Sequence, residues 1–389
     1  MSVRPVISLD FIKSDSCLCR NDEQLKFMAS HLNLYHLDHF KMRHGGELNQ
    51  AILAYETWGE LNANKDNAVL ILTGLSVDSH AASHGEGDTD GWWEYMLGPG
   101  KAIDTNKWFV ICASSLGSCK GSTGPCSNNS ATRQPYKFTF PDLTLEDIAN
   151  SSFEMVQSLD IEKLACVIGP SMGGMTALAL ILQHPHASHH MINIAAGCYS
   201  EPFSTAIRSL QREAILKDVN FNDGNYSSDQ WPRQGMKQAR KLGMLSYRSA
   251  QEWKERFPRS LRQRPHQPFG IEFPVEGYLE HHAEKFVHQF DPISYIYLSR
   301  AMDWFDAFDY NKSDLHNPFT EVKLDTALIV GAQSDLLFPQ SQQGEIAALL
   351  NDIGCQAEIN ITDSIQGHDS FLVDQDNYSA IINKYLNNI

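Results

Sequence analysis

The chain has 389 residues, 42% of them hydrophobic and 20% charged, with a formal net charge of −16. This is a globular composition long enough for a sizeable core. The acidic balance argues against a non-specific nucleic-acid binder and against docking on an anionic membrane, both of which need a basic face. No run approaches the roughly 18–20 apolar residues of a membrane span, and the N-terminus lacks a secretory core. The eight cysteines, Cys17-x-Cys19 and Cys119-x6-Cys126 among them, show neither zinc spacing nor C-x-x-C. That pattern predicts a reduced, cytoplasmic protein.

Residues 1–40 are polar and weakly patterned, and are expected to form a loose extension. Short apolar runs follow at Ala68–Thr73, Trp108–Ala113, Leu164–Gly169, His190–Ala195, Ala327–Gly331 and Ala357–Ile361. Most do not alternate, as expected of strands buried on both faces of a parallel sheet. Helical patterns at Leu143–Leu159 (capped by Thr144), Met172–Gln183 and Ser341–Asn351 separate several of them. Alternating βα units predict a doubly wound α/β sheet. Between 201 and 318 the strand pattern vanishes. Helical spacing at Gly235–Tyr247, Tyr278–Phe290 and Tyr295–Phe308, broken by the Pro-rich Arg262–Phe269, predicts a helical lid. The expected organisation is therefore a core of 41–200 and 319–389 with 201–318 inserted.

The sharpest motif is Gly169-Pro170-Ser171-Met172-Gly173, a G-x-S-x-G between a strand and a helix. A nucleophile on such a turn needs small residues two positions away, and the helix N-terminus favours negative charge beside it. A serine nucleophile needs a base, and the base an orienting carboxylate, in chain order Ser…Asp/Glu…His. Asp335 follows one strand and His368 follows the last. Asp369 competes for the Asp335 role, but adjacent side chains point apart, which leaves Asp369 for substrate binding. The expected oxyanion donors are the N–H of Met172 and that of Leu75 or Ser76, in the loop Gly74-Leu75-Ser76-Val77 that is also the expected specificity loop. Asp78-Ser79-His80-Ala81-Ala82 is expected to line the same mouth. Trp92-Trp93 reads as lid or core packing, and His184, His186, His189 and His190 as solvated rather than metal-binding.

These residues resemble the homoserine O-acetyltransferase family of acyl-CoA-dependent amino-acid O-acyltransferases, which has the α/β-hydrolase fold. The resemblance runs from about Phe40 to the C-terminus. It is carried by Leu72-Thr-Gly74 with Asp78–Ala81, by Gly91-Trp-Trp93 through Gly98-Pro-Gly100 to Gly121–Pro125, by Gly169–Met175, and by Ser334–Pro339 with Gly367-His-Asp369. It implies Ser171, Asp335 and His368 as catalytic residues, Arg240 and Asp369 as ligands of the amino acid, and a homodimer formed through the lid. A border of the CoA channel becomes the alternative to packing for Trp92-Trp93. The chain departs from the homoserine enzymes at Gly-Pro-Ser171-Met and at Arg208, where they usually have Asn. With Tyr247-Arg-Ser249 and Ser299–Phe305, these features are similar to the serine O-succinyltransferase branch.

A succinyl group ends in a carboxylate that is costly to bury unpaired, and a guanidinium can pair with it bidentately. Arg208 facing Ser171 would thus select the acyl group. The expected reaction is ping-pong acyl transfer from acyl-CoA as co-substrate to L-serine, with no metal or redox cofactor. Alternatives are L-homoserine as acceptor, hydrolysis by an esterase or thioesterase, and a non-catalytic binding protein. One methylene separates the two acceptors, worth only about 1–3 kcal/mol.

Overall fold

A computed structural model describes residues 31–260, 270–310 and 317–389. The Pro-rich stretch 262–269, Cys17 and Cys19 lie outside the described residues. The strands are β1 (Asn33–Lys41), β2 (Glu47–Trp58), β3 (Ala68–Leu72), the two-residue β4 (Leu97–Gly98) and β5 (Ile103–Asp104), β6 (Phe109–Ala113), β7 (Leu164–Pro170), β8 (Ser188–Ile194), β9 (Thr326–Ala332) and β10 (Gln356–Thr362). Eight of them form one sheet in the order β1-β2-β6-β3-β7-β8-β9-β10. From β6 to β10 every pairing is parallel, while β1–β2 and β2–β6 are antiparallel.

Burial explains the order. All five residues of β3 and all seven of β7 are buried. Alternate side chains of β3 feed two cores: Leu70 joins the cluster of helices α1 (Leu145–Ser158) and α2 (Met172–Gln183), while Val69 and Ile71 join Trp93 and Tyr378 on the other face. Helix α1 begins at a capping box, in which the Thr144 hydroxyl accepts the Asp147 N–H and the Asp147 carboxylate accepts the Thr144 N–H.

Two expectations are corrected. Residues 33–40 are not loose: they lie in β1, paired with β2 from Asn33↔Tyr55 to Lys41↔Glu47. Residues 1–30 lie outside the described residues. The last strand is not buried on both faces either. β10 is the sheet edge, and Ile359 is 43% exposed.

Between β8 and β9 the chain forms α3 (Pro202–Leu216), α4 (Arg233–Tyr247), α5 (Ala250–Arg256), α6 (Pro274–Phe286) and α7 (Pro292–Trp304). The C-terminal part adds α8 (Gln340–Asp352), the short α9 (Ser370–Val373) and α10 (Gln375–Leu386). No helix of the described residues is long and apolar enough to cross a membrane.

The chain leaves β3 for β6 on one side and returns to β7 on the other. The crevice beyond the C-terminal ends of β3 and β7 is therefore a topological switch point, where open α/β sheets place their ligands. The β7–α2 turn closes there with no spare room. A Cβ on Gly173 would stand 2.0 Å from the Leu72 carbonyl oxygen, and one on Gly169 2.1 Å from that of Gly173. Gly173→Ala is expected to destabilise the fold by about 1–3 kcal/mol, the usual cost of overpacking, read as a lowered urea midpoint.

Candidate active site

Ser171 sits between β7 and α2 with φ 56° and ψ −123°. Its N–H bonds the Ile194 carbonyl at 2.8 Å, and its side chain makes no capping bond to the helix it precedes. The hydroxyl instead meets His368 Nε2 at 2.8 Å. His368 Nδ1 lies 2.8 Å from Asp335 Oδ2. The other carboxylate oxygen, Asp335 Oδ1, accepts the N–H groups of Leu337 and Phe338 at 2.8 and 3.0 Å. One buried carboxylate thus both caps its own loop and orients the imidazole. The Ser334 hydroxyl fastens the two loops together: it donates to the Ser364 carbonyl and accepts the Gly367 N–H at 3.0 Å.

His368 is 5% exposed and ringed by Phe338, Phe371 and Tyr247. Burial alone would lower its pKa. The charge and hydrogen bond of Asp335 outweigh this, Asp369 adds to them, and the pKa ends above its ordinary 6.5.

The serine opens into a cleft of about 780 Å³, mouth included. Gly74, Leu75, Ser76 and Val77 form one wall, and the lid supplies Arg208, Gln211, Tyr247 and Tyr295 to another. Met172 opens α2, so its N–H has no acceptor within the helix. Asp369 lines the cleft next to His368. Its Oδ2 accepts the Arg248 Nε at 3.0 Å.

Two expected placements change, and a third residue, in its expected place, is already paired. Asp78–Ala82 does not line the mouth. These residues are buried, and the His80 ring is engaged by Glu56 of β2. Arg240 is not among the residues lining the cleft. Its guanidinium stacks over the Phe286 ring at 4.8 Å, with a buried Nε that has no partner among the described residues. Arg208 does line the cleft, but not as a free cation. Its Nε donates to Asp303 Oδ1 at 2.6 Å and one terminal nitrogen to the Ser200 hydroxyl at 2.6 Å. Arg212 reaches the other Asp303 oxygen at 2.7 Å. Two cations share one carboxylate, so the lid wall keeps an excess positive charge close to the cleft.

Asp303 and Arg248 were not legible as site residues. They pair with Arg208 and Asp369 across 95 and 121 positions of chain, a separation that no spacing rule reaches. Trp92 also lines the cleft and stacks on the fully buried Trp93. Of the four histidines around the end of α2, His184 and His190 are partly buried in structural hydrogen bonds, while His186 and the exposed His189–Asp325 pair are solvated as expected. His184 meets Asn150, His189 meets Asp325, and His190 meets Thr326.

Chemically, this is a hydroxyl with a base in reach, the base oriented by a carboxylate, on a strand-to-helix turn at the switch point of a mostly parallel sheet. The model of the alpha/beta hydrolase fold matches residues 67–375, and the chain belongs to that family. More particularly, it is 53% identical over 351 residues to a serine O-succinyltransferase of Frateuria aurantia, covering 89% of this chain and 96% of that one. A serine O-succinyltransferase of Stenotrophomonas maltophilia is 51% identical over 350 residues, covering 89% and 95%. Among solved structures, a homoserine O-acetyltransferase from Bacillus anthracis superposes with a TM-score of 0.84 at 27% identity, covering 92% of this chain and 97% of that one. Esterase E22 superposes with a TM-score of 0.83 at 26% identity, covering 91% and 99%.

The base must be neutral to take the Ser171 proton. Labelling of Ser171 by an activated ester is therefore expected to rise with pH through a midpoint above 6.5. In Asp335→Asn, burial is left without the opposing carboxylate, and the midpoint is expected to fall while the maximal rate drops by several orders of magnitude. A midpoint unmoved in that variant would assign the limb to another group.

Proposed function

We propose that this chain transfers a succinyl group from succinyl-CoA to the hydroxyl of L-serine by a ping-pong mechanism. The observation that carries the reading is the Ser171–His368–Asp335 relay, opening into a cleft whose lid wall holds Arg208 and Arg212 against the single carboxylate of Asp303. The serine O-succinyltransferases at 53% and 51% identity support it.

In the first half-reaction His368 takes the Ser171 proton as the oxygen attacks the thioester carbonyl. Asp335 stabilises the imidazolium. The N–H of Met172 and one from Leu75 or Ser76 hold the oxyanion. The tetrahedral intermediate collapses, His368 returns its proton to the leaving CoA sulfur, and succinyl-Ser171 remains. In the second half-reaction the hydroxyl of L-serine gives its proton to His368 and attacks the ester. His368 then reprotonates Ser171 as O-succinyl-L-serine leaves.

The excess charge behind Arg208 favours an acyl chain that ends in a carboxylate. Asp369 is suited to the ammonium of the acceptor, with one oxygen held by Arg248 and the other without a hydrogen bond among the described residues. Burial raises the pKa values of Tyr247 and Tyr295, and the nearby charge of Arg240 opposes that rise, so Arg240 adds positive potential for the acceptor's carboxylate. Phe203, Leu210 and Leu216 of α3 and Leu245 of α4 are each about half exposed, which supports a homodimer formed through the lid. Sedimentation should then give twice the chain mass.

Hydrolysis is the second reading, favoured by the likeness to esterase E22. A two-by-two assay separates them, with succinyl-CoA and acetyl-CoA as donors, L-serine and L-homoserine as acceptors, and mass detection of product. The succinyl-CoA/L-serine pair is expected to dominate. Homoserine products would move the acceptor assignment, and CoA release without acylated amino acid would make water the acceptor. Ser171→Ala is expected to abolish transfer and the acyl-enzyme. Arg208→Asn is expected to raise KM for succinyl-CoA at least tenfold while sparing acetyl-CoA, in line with the loss of about 1.5–3 kcal/mol for a charged hydrogen bond.

A further inference from the structure

Away from the cleft, β2 and the loop that follows β3 build a second polar cluster. Glu56 projects from β2 and is 1% exposed. His80 Nδ1 approaches its Oε2 at 2.9 Å, and His84 Nε2 approaches the same atom at 2.8 Å. One donor atom from each of the three residues lies within 4.8 Å of the other two. The geometry points to a structural zinc site made by His80 Nδ1, His84 Nε2 and Glu56.

Three observations carry this. The first is the orientation of His80. Its Nε2 lies 2.8 Å from the Thr89 carbonyl oxygen, which can only accept, so Nε2 holds a proton. Nδ1 faces the buried carboxylate; burial lowers the His80 pKa, but the hydrogen bond and charge of Glu56 raise it to about 9, so without metal Nδ1 carries a proton that a bound cation would displace. An imidazole whose second nitrogen donates to a backbone carbonyl is the usual outer arrangement of a metal-binding histidine. The second is the fixed plane of His84. Its ring is sandwiched between Trp58, at 4.8 Å and 4°, and His31, at 4.1 Å and 7°. The third is charge. The Asp88 side chain, 3% exposed, stands 3.9 Å from His80 Nε2, so two buried carboxylates share this corner. Neither forms an ion pair with Lys or Arg among the described residues. The His80 imidazolium balances one of them, and a divalent cation in its proton's place would balance both.

Two imidazoles and a carboxylate suit zinc, with a water completing four ligands. Zinc–ligand bonds of about 2.0–2.2 Å separate donor atoms by roughly 3.3 Å, so the two rings retreat about half an ångström from Glu56. The ion would fasten the loop between Val77 and Trp92, both of which line the cleft, to the sheet. The proposal does not depend on the acyl group or the acceptor.

The test uses the full-length protein. Metal-free protein titrated with Zn²⁺ is expected to bind about one ion per chain and to melt at a higher temperature. Bound Co²⁺ should show a four-coordinate visible spectrum. Glu56→Gln and His84→Gln are expected to weaken binding at least about tenfold, the smallest cost seen even for outer partners. His186→Gln, at an exposed position, should leave it unchanged. X-ray absorption of the wild-type zinc complex, which needs no variant to fold, should show two imidazoles. The absence of saturable binding, equal binding in all variants, or a different imidazole count would overturn the site. A proton would then be the cation that joins His80 to Glu56.

Discussion

The close approach of β7, α2 and the end of β3 is the constraint on which the rest of the molecule depends. Gly169 and Gly173 let the chain turn where any side chain would strike a carbonyl oxygen. Only that turn puts Ser171 at positive φ, and only positive φ aims its hydroxyl at the crevice beyond the sheet. His368 and Asp335 arrive on loops after β10 and β9, tied to each other through Ser334. The relay therefore rests on backbone placement at three strand ends, and the lid above it can vary without disturbing it.

The lid supplies a charged wall to the cleft into which the relay opens. Its wall is not a simple cationic patch. Arg208 and Arg212 are held by Asp303, which fixes their geometry and removes half of their charge. A buried arginine held this way loses less entropy on meeting an anion than a mobile one, because its orientation is already set. The same pairing limits what it can offer: Nε and one terminal nitrogen of Arg208 are engaged before any ligand arrives. What it presents to the cleft is residual charge and one remaining nitrogen rather than a free bidentate fork.

The parts that were legible in the sequence are those built from local rules. The strand–Ser–helix turn around Ser171 carries its glycines at fixed offsets. Asp335 and His368 sit where two strands run out, in the order the fold requires. The parts that were not legible depend on contacts between distant segments. The loop Asp78–Ala82 turns inward because Glu56, 24 positions before His80, is waiting on β2. β1 carries little signal because an edge hairpin needs only weak alternation, and the apolar run of β10 does not declare whether both of its faces are covered. Arg240 was placed at the cleft by resemblance alone, and packing put Phe286 and the cleft tyrosines around it instead.

Serine is among the best residues for ending a helix at its N-terminus, because its hydroxyl can take up one of the helix's unmatched N–H groups. Ser171 occupies that position and makes no such bond. Helix α2 therefore forgoes roughly 1 kcal/mol of capping, and its apolar body, buried from Met172 to Leu182, must hold it in place by packing. The forfeited cap leaves two groups uncommitted, the hydroxyl and the N–H groups of the first turn. A serine that capped its helix well would be a poor nucleophile, and the N–H groups it satisfied would be lost to an oxyanion.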